Sequence, residues 1–237
     1  MKPVEAVATA WSGAPLPPEL ADLDDRFSVA FTDVELAGGQ CRVMHPRNAD
    51  DLISEDDYVK DERLPYWADL WPSSLALAKS IPDLATGPGR LLELGCGLGL
   101  VTIAALRCGH EVLATDYYPD ALLFTRRNSI SATGREPSTR MANWREWPLD
   151  AGRFDLVVAS DVLYERAYAG LVADVIAASL APDGVAFVAD PGRVALPEFI
   201  EACDGRRLDV TVRTKVPHDD GAIHQVITIY EIRNRAK

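Results

Sequence analysis

Two hydrophobic rhythms divide the chain. From Arg90 onward, short runs that are apolar at nearly every position alternate with longer runs that are apolar at helical spacing. "RLLELG" (90–95), "EVLATD" (111–116), "TRMANW" (139–144), "FDLVVASD" (154–161) and "GVAFVAD" (184–190) read as strands. Between and after them "GLVTIAALRCG" (99–109), "PDALLFTRRNSI" (119–130), "AYAGLVADVIAASL" (167–180) and "LPEFIEAC" (196–203) read as helices. Continuous apolar strands separated by helices predict a parallel sheet covered on both faces, a three-layer, doubly wound α/β fold. The ending differs: "RLDVTVRTKV" (207–216) and "HQVITIYEIR" (224–233) alternate with period two around the polar "PHDDGAI". They predict an antiparallel hairpin at the sheet edge, and bring the strands of this sheet to seven.

Ahead of this lies a different texture. Residues 1–25, rich in Pro, Ala and Asp, predict a loosely structured lead-in, and "RFSVAFTDVEL" and "QCRVMHP" predict a β-hairpin turning at Gly38-Gly39. The acidic stretch 47–65 reads as a solvated loop or a substrate-facing lid, and "PSSLALAKSI" (72–81) as a helix opened by Pro72. The division expected is an N-terminal extension over 1–63 and the α/β domain over 64–237.

Composition adds limits. The 237 residues carry 24 basic against 36 acidic side chains, a net charge of −12, which argues against general binding to phosphate backbones and tolerates a cationic partner. No apolar run approaches a membrane span and the N-terminus lacks a secretion signal, so a cytoplasmic protein away from membranes is expected. Cys41, Cys96, Cys108 and Cys203 stand far apart, and the four histidines form no ligand pair. Free thiols and no metal are the expectation.

The candidate chemistry starts at "LLELGCGLGL" (91–100), where Gly95, Gly97 and Gly99 follow the first strand of the sheet. Glycine there permits a tight turn and close approach of a ligand outside the strand's carboxyl end. The G-x-G-x-G spacing, with Glu93 two residues ahead, differs from the G-x-G-x-x-G of dinucleotide enzymes, and no Lys-Ser/Thr pair follows as in a phosphate loop. An adenosine-containing cofactor without a phosphate fits best. Asp116, ending the next strand, reads as a ribose ligand, with a helix N-cap as the plainer role. Asn143 and Trp144, ending the third, offer an amide to an adenine edge and a ring to its face.

In order, "LLELGCGLGL", "ATDYY" and "FDLVVASDVLY" resemble the successive motifs of class I S-adenosylmethionine-dependent methyltransferases, over about residues 64–235. That resemblance implies a Rossmann-like, seven-stranded sheet and S-adenosyl-L-methionine as cofactor, with S-adenosyl-L-homocysteine as product. Asn143 stands where many of that group carry an acid. "LPYWADLWPSS" (64–74) resembles a signature of methyltransferase family 16, which contains many protein-lysine methyltransferases. The likeness implies that Trp71 belongs to the cofactor pocket with Tyr66 and Trp67 nearby; core packing is the alternative for both tryptophans. "SDVLY" resembles that family's D-x-x-Y motif, matched by Asp161 and Tyr164. "ADPGR" (189–193) is similar to a segment of the electron-transfer flavoprotein β-subunit lysine methyltransferases, although their "WPGGQ"-type run is Trp71-Pro-Ser-Ser here.

The cofactor set is therefore Trp71, Glu93, Gly95, Gly97, Gly99, Asp116, Tyr117, Asn143, Trp144 and Ser160. Asp161 and Tyr164 are the catalytic candidates; Tyr66, Trp67, Asp190 and Arg193 are the substrate candidates. The reaction implied is N-methylation of an exposed lysine on a protein substrate. A small amine as substrate and a non-catalytic cofactor-binding module are the alternatives. Asp161 would position the amine and stabilise the charge that develops on it, while the proton leaves to water.

Overall fold

The computed structural model describes residues 13–52, 65–85 and 87–236. Its centre is a seven-stranded sheet of β3 (Arg90–Leu94), β4 (Glu111–Asp116), β5 (Ser138–Met141), β6 (Phe154–Ser160), β7 (Leu180–Asp190), β8 (Leu208–Asp219) and β9 (His224–Asn234). Its order is β5-β4-β3-β6-β7-β9-β8. The first five strands are parallel. Only β9 runs against its neighbours, slotting between β7 and β8, so β8 forms the edge.

The apolar strands are explained by what covers them. Leu91, Val158 and Phe187 face a core shared with α1 (Pro72–Leu84), α2 (Leu100–Arg107) and α3 (Pro119–Thr133). Leu92, Leu94, Val157 and Val188 point the other way, against α4 (Arg166–Ser179) and α5 (Leu196–Gly205). Fully burying each such side chain contributes roughly 1.5–3 kcal/mol, which fixes strand register on both faces. No helix among the described residues is long and apolar enough to cross a membrane.

Several boundaries depart from expectation. The third strand of the sheet stops at Met141 rather than Trp144. There the Asn143 side chain accepts the Arg145 N–H at 3.0 Å and opens a 3-10 turn over Trp144–Glu146. Helix α1 continues past Ile81 to Leu84, because Pro82 in its last turn forfeits only one backbone bond. The lead-in is not loose over its described part: Pro18–Ala21 and Leu23–Arg26 are single helical turns that bury Leu20 and Leu23 completely.

The N-terminal hairpin pairs β1 (Val29–Leu36) with β2 (Gly39–Pro46), turning at Ala37-Gly38 because Gly39 already pairs with Leu36. It shares the α1–α3 core through Val34, Leu36, Val43 and Met44. Buried Asn128 of α3 clamps it: its carboxamide oxygen accepts the Met44 N–H at 2.8 Å. The amide nitrogen donates to the carbonyls of Met44 and Leu98, both at 2.9 Å. Of the acidic stretch 47–65, Ala49–Leu52 forms a 3-10 turn; residues 53–64, most of the stretch read as loop or lid, lie outside the described residues.

Candidate active site

The carboxyl ends of β3, β4, β5 and β6 converge on a cavity of about 1060 Å³ open to solvent. Gly95 and Gly97 form its floor. Gly97 has φ 52, and a Cβ there would stand 3.1 Å from the Trp67 carbonyl. A side chain there would crowd the 3-10 turn Tyr66–Ala68 and strain the left-handed backbone.

Asp116 is 7% exposed at the end of β4. One oxygen accepts the Gly97 N–H and the other the Tyr118 N–H, both at 3.0 Å. Burial pushes its carboxyl above the ordinary range while those N–H donors pull it back. Tyr117, Asn143, Trp144, Ser160 and Trp71 complete the lining expected of the cofactor set. The Asn143 oxygen is engaged by the Arg145 N–H, and the Trp71 indole donates to the Tyr66 carbonyl at 2.7 Å.

Two members of that set do not reach the cavity. Glu93 is 2% exposed and points at α2, where it accepts the Thr102 hydroxyl; burial pushes its carboxyl up to about 8. Gly99 serves packing: a Cβ there would lie 2.9 Å from the Cα of Thr125, where α2 passes α3. Both follow from the alternation of a strand and from helix contact, which a motif does not distinguish from ligand contact.

A second cavity of about 600 Å³ adjoins the first, lined by Tyr66, Trp71, Asp161, Tyr164, Glu165 and Arg193. All of these but Arg193 line the larger one too, so the two are continuous. Aromatic rings stack edge to face through the junction. Tyr66 lies 5.2 Å from Tyr164, Tyr164 lies 5.2 Å from Tyr168, and Tyr168 lies 5.6 Å from Trp144. Burial, with Tyr168 adjoining, pushes the Tyr164 phenol well above its ordinary value, so it stays neutral.

Asp161 takes a left-handed backbone conformation at φ 58 directly after β6. One oxygen accepts the Arg193 Nε–H at 2.6 Å and the other the Ser73 hydroxyl at 3.0 Å. The Arg193 guanidinium also lies 5.4 Å from the centre of the Trp71 ring. Of the remaining substrate candidates, Tyr66 faces both cavities. Trp67 is a core residue packed 5.4 Å from Phe124 and meets only the larger one.

Asp190 reaches neither cavity. It is fully buried, and its Oδ1 accepts the backbone N–H groups of Gly192 and Arg193 at 2.7 Å each. It shapes the turn that carries Arg193.

Sequence reasoning missed Ser73, Glu165 and Tyr168. Tyr168 stands four residues after Tyr164, a spacing that could have found it; the partnership of Ser73 with Asp161 spans the fold and left no local signal.

The family described as "Methyltransferase domain" matches residues 70–222. The electron transfer flavoprotein beta subunit lysine methyltransferase of Xenopus laevis is 34% identical over 134 residues, 54% of this chain and 53% of that protein. The protein-lysine methyltransferase METTL21E of Mus musculus is 30% identical, over 44% of this chain and 47% of its own. The chain thus spans about half the length of the curated relatives it matches.

Among solved structures, a ribosomal protein L11 methylase from Lactobacillus delbrueckii subsp. bulgaricus aligns with TM-score 0.53 at 22% identity, covering 68% of this chain and 79% of that one. The glycopeptide N-methyltransferase MtfA, complexed with S-adenosyl-L-homocysteine, aligns at 0.55 and 17% identity, covering 68% and 89%. The fold is the Rossmann-like, class I methyltransferase fold, and the chain belongs to the methyltransferase-domain family.

Proposed function

We propose that the protein is an S-adenosylmethionine-dependent N-methyltransferase whose acceptor is the side-chain amine of lysine in a protein substrate. One observation carries this reading: an aromatic and acidic chamber, with Tyr66, Trp71 and Tyr164 beside Asp161 and Glu165, opens directly into the glycine-turn cavity. Aromatic faces and carboxylates together suit an alkylammonium chain. The likeness to lysine methyltransferases supports the same acceptor.

The larger cavity fits the cofactor. Gly95 and Gly97 line it with backbone in the left-handed conformation, and a buried carboxylate, Asp116, borders it where a ribose diol needs an acceptor. Trp144 and Asn143 offer a ring and an amide to the base. When bound, S-adenosylmethionine supplies a methyl carbon carried on a sulfonium centre.

The chain's own task is alignment and charge. Holding an amine in line with that carbon accounts for most of the rate, since effective molarities reach about 10⁵–10⁸ M. The rings of Tyr66, Trp71 and Tyr164 replace part of the water around a seated amine. That disfavours an ammonium, whose deprotonation at pH 7 costs roughly 4–5 kcal/mol in water. Glu165 faces the positive charge that grows on nitrogen as the bond forms, Asp161 orients the amine, and the proton shed beforehand passes to solvent.

The test is incubation with methyl-labelled S-adenosylmethionine and cell lysate, followed by mass spectrometry of the labelled product. Label on lysine in a discrete protein band is the expected result. Label confined to small molecules would overturn the protein-substrate reading, and no transfer at all would overturn the enzymatic one.

A further inference from the structure

Asp161 presents a chemical conflict. A carboxylate beside an amine favours the ammonium, the form that cannot attack, and Glu165 at the same chamber acts in the same sense. The counterweight stands directly beside Asp161. Arg193 meets Asp161 at 2.6 Å and lines the chamber beside it; its side chain is 34% exposed against 6% for Asp161. The placement is built rather than incidental. The buried carboxylate of Asp190 pins the turn by accepting two backbone N–H groups, and Gly192 takes the left-handed conformation that lets the turn close. The guanidinium is then held over Trp71.

We propose that Arg193 is a positioning residue that aims the Asp161 carboxylate and cancels its charge, so that an amine seated in the chamber sheds its proton more readily. The proposal rests on the amine-methylating reading above. Charged and titratable groups face the pair from each packed element: Asp190 from the end of β7, Glu165 before α4, Tyr66 from its 3-10 turn and Tyr164 from the loop after β6. Ser73 of α1 adds a neutral hydroxyl. With Arg193 in place, Asp161 orients the amine without a net charge. With Arg193 removed, two carboxylates face the amine inside a ring-lined chamber, and its pKa rises by about 1–3 units, the usual effect of one opposite charge within 4–6 Å.

The readout is a binding titration, which needs no turnover. n-Butylamine carrying ¹³C beside nitrogen serves as the lysine probe, added to protein saturated with S-adenosylhomocysteine, and its bound chemical shift is followed against pH. The wild type sets the reference titration of the bound amine. In Arg193→Gln it titrates about 1–3 units above the wild-type position. Arg193→Lys, which keeps the charge, restores the wild-type value. Asp161→Asn, which removes the guanidinium's ion-pair partner, moves the titration below the wild type and provides an independent arm should Arg193→Gln fail to fold. The proposal is overturned if Arg193→Gln titrates with the wild type, if Arg193→Lys follows Arg193→Gln, if Asp161→Asn does not lower the value, or if the probe fails to bind while S-adenosylhomocysteine does. Failure of S-adenosylhomocysteine itself to bind overturns the proposed function instead.

Discussion

Replacing Asn128 by Ala tests how the N-terminal hairpin is tied to the sheet domain. The residue is 1% exposed, so the groups it bonds lie away from bulk solvent. Three contacts disappear: the acceptor for the Met44 N–H at 2.8 Å, and the donors to the Met44 and Leu98 carbonyls at 2.9 Å. An orphaned buried N–H costs about 1–3 kcal/mol, and each carbonyl, with a second lone pair to use, roughly 0.5–1 kcal/mol. The sum is a loss of about 2–5 kcal/mol, a large part of the 5–15 kcal/mol that typically holds a domain together. Urea unfolding followed by tryptophan fluorescence measures it directly, with Asn128→Asp as the informative companion. The carboxylate keeps an acceptor for Met44 but turns its second oxygen towards two carbonyls, so at neutral pH it should destabilise at least as much as Ala. A loss below about 0.5 kcal/mol in Asn128→Ala would refute the clamp, because it is less than one typical hydrogen bond.

Three other outcomes are expected. Gly97→Val should abolish S-adenosylhomocysteine binding in calorimetry, since the new side chain meets the Trp67 carbonyl at a strained φ; unchanged affinity would remove the glycine turn from the site. Asp161→Asn should cut methyl transfer at least tenfold with little change in cofactor affinity, and a collapse of that affinity instead would make Asp161 a cofactor ligand. Glu93 gives a pH dependence of definite sign. Its carboxyl is raised from 4.5 to about 8 in the folded state, so the native protein holds a proton that the unfolded chain releases. Stability from this group is fully present below pH 4.5 and declines as pH rises to about 8, by up to about 4–5 kcal/mol. Glu93→Gln should therefore be more stable than the wild type at pH 8 and flatten thermal melts across that window; an unaltered slope would refute the assignment.

The parallel strands were legible because burial on both faces leaves little room for polar residues, and the glycine turn because left-handed backbone selects its own residue. What the sequence hid was tertiary. Leu20 and Leu23 lie in a Pro- and Asp-rich lead-in, and become core only because α3 is there: Arg127 reaches the Leu20 carbonyl at 3.2 Å and Arg126 the Glu19 carboxylate at 3.0 Å. In the candidate site, the residues at the carboxyl ends of β3, β4 and β6 fell where topology puts ligands, so most of the cofactor set lines one cavity. Motif membership misled where a conspicuous residue packs instead: Glu93 against Thr102, Gly99 against Thr125, Asp190 under its own turn. Ser73 went unseen for the complementary reason, since its partner stands 88 positions away in the chain.

The left-handed backbone at Asp161 restricts which side chains evolution or an experimenter can place there before any chemistry is considered. At φ 58 an ordinary side chain crowds the following carbonyl; Gly visits the region routinely, and Asn and Asp more readily than other residues. Ala, Glu or Val would strain the peptide as well as erase the acid, and an inactive variant of that kind reports two losses at once. The amide is the one swap that keeps the bend and the size while removing the charge.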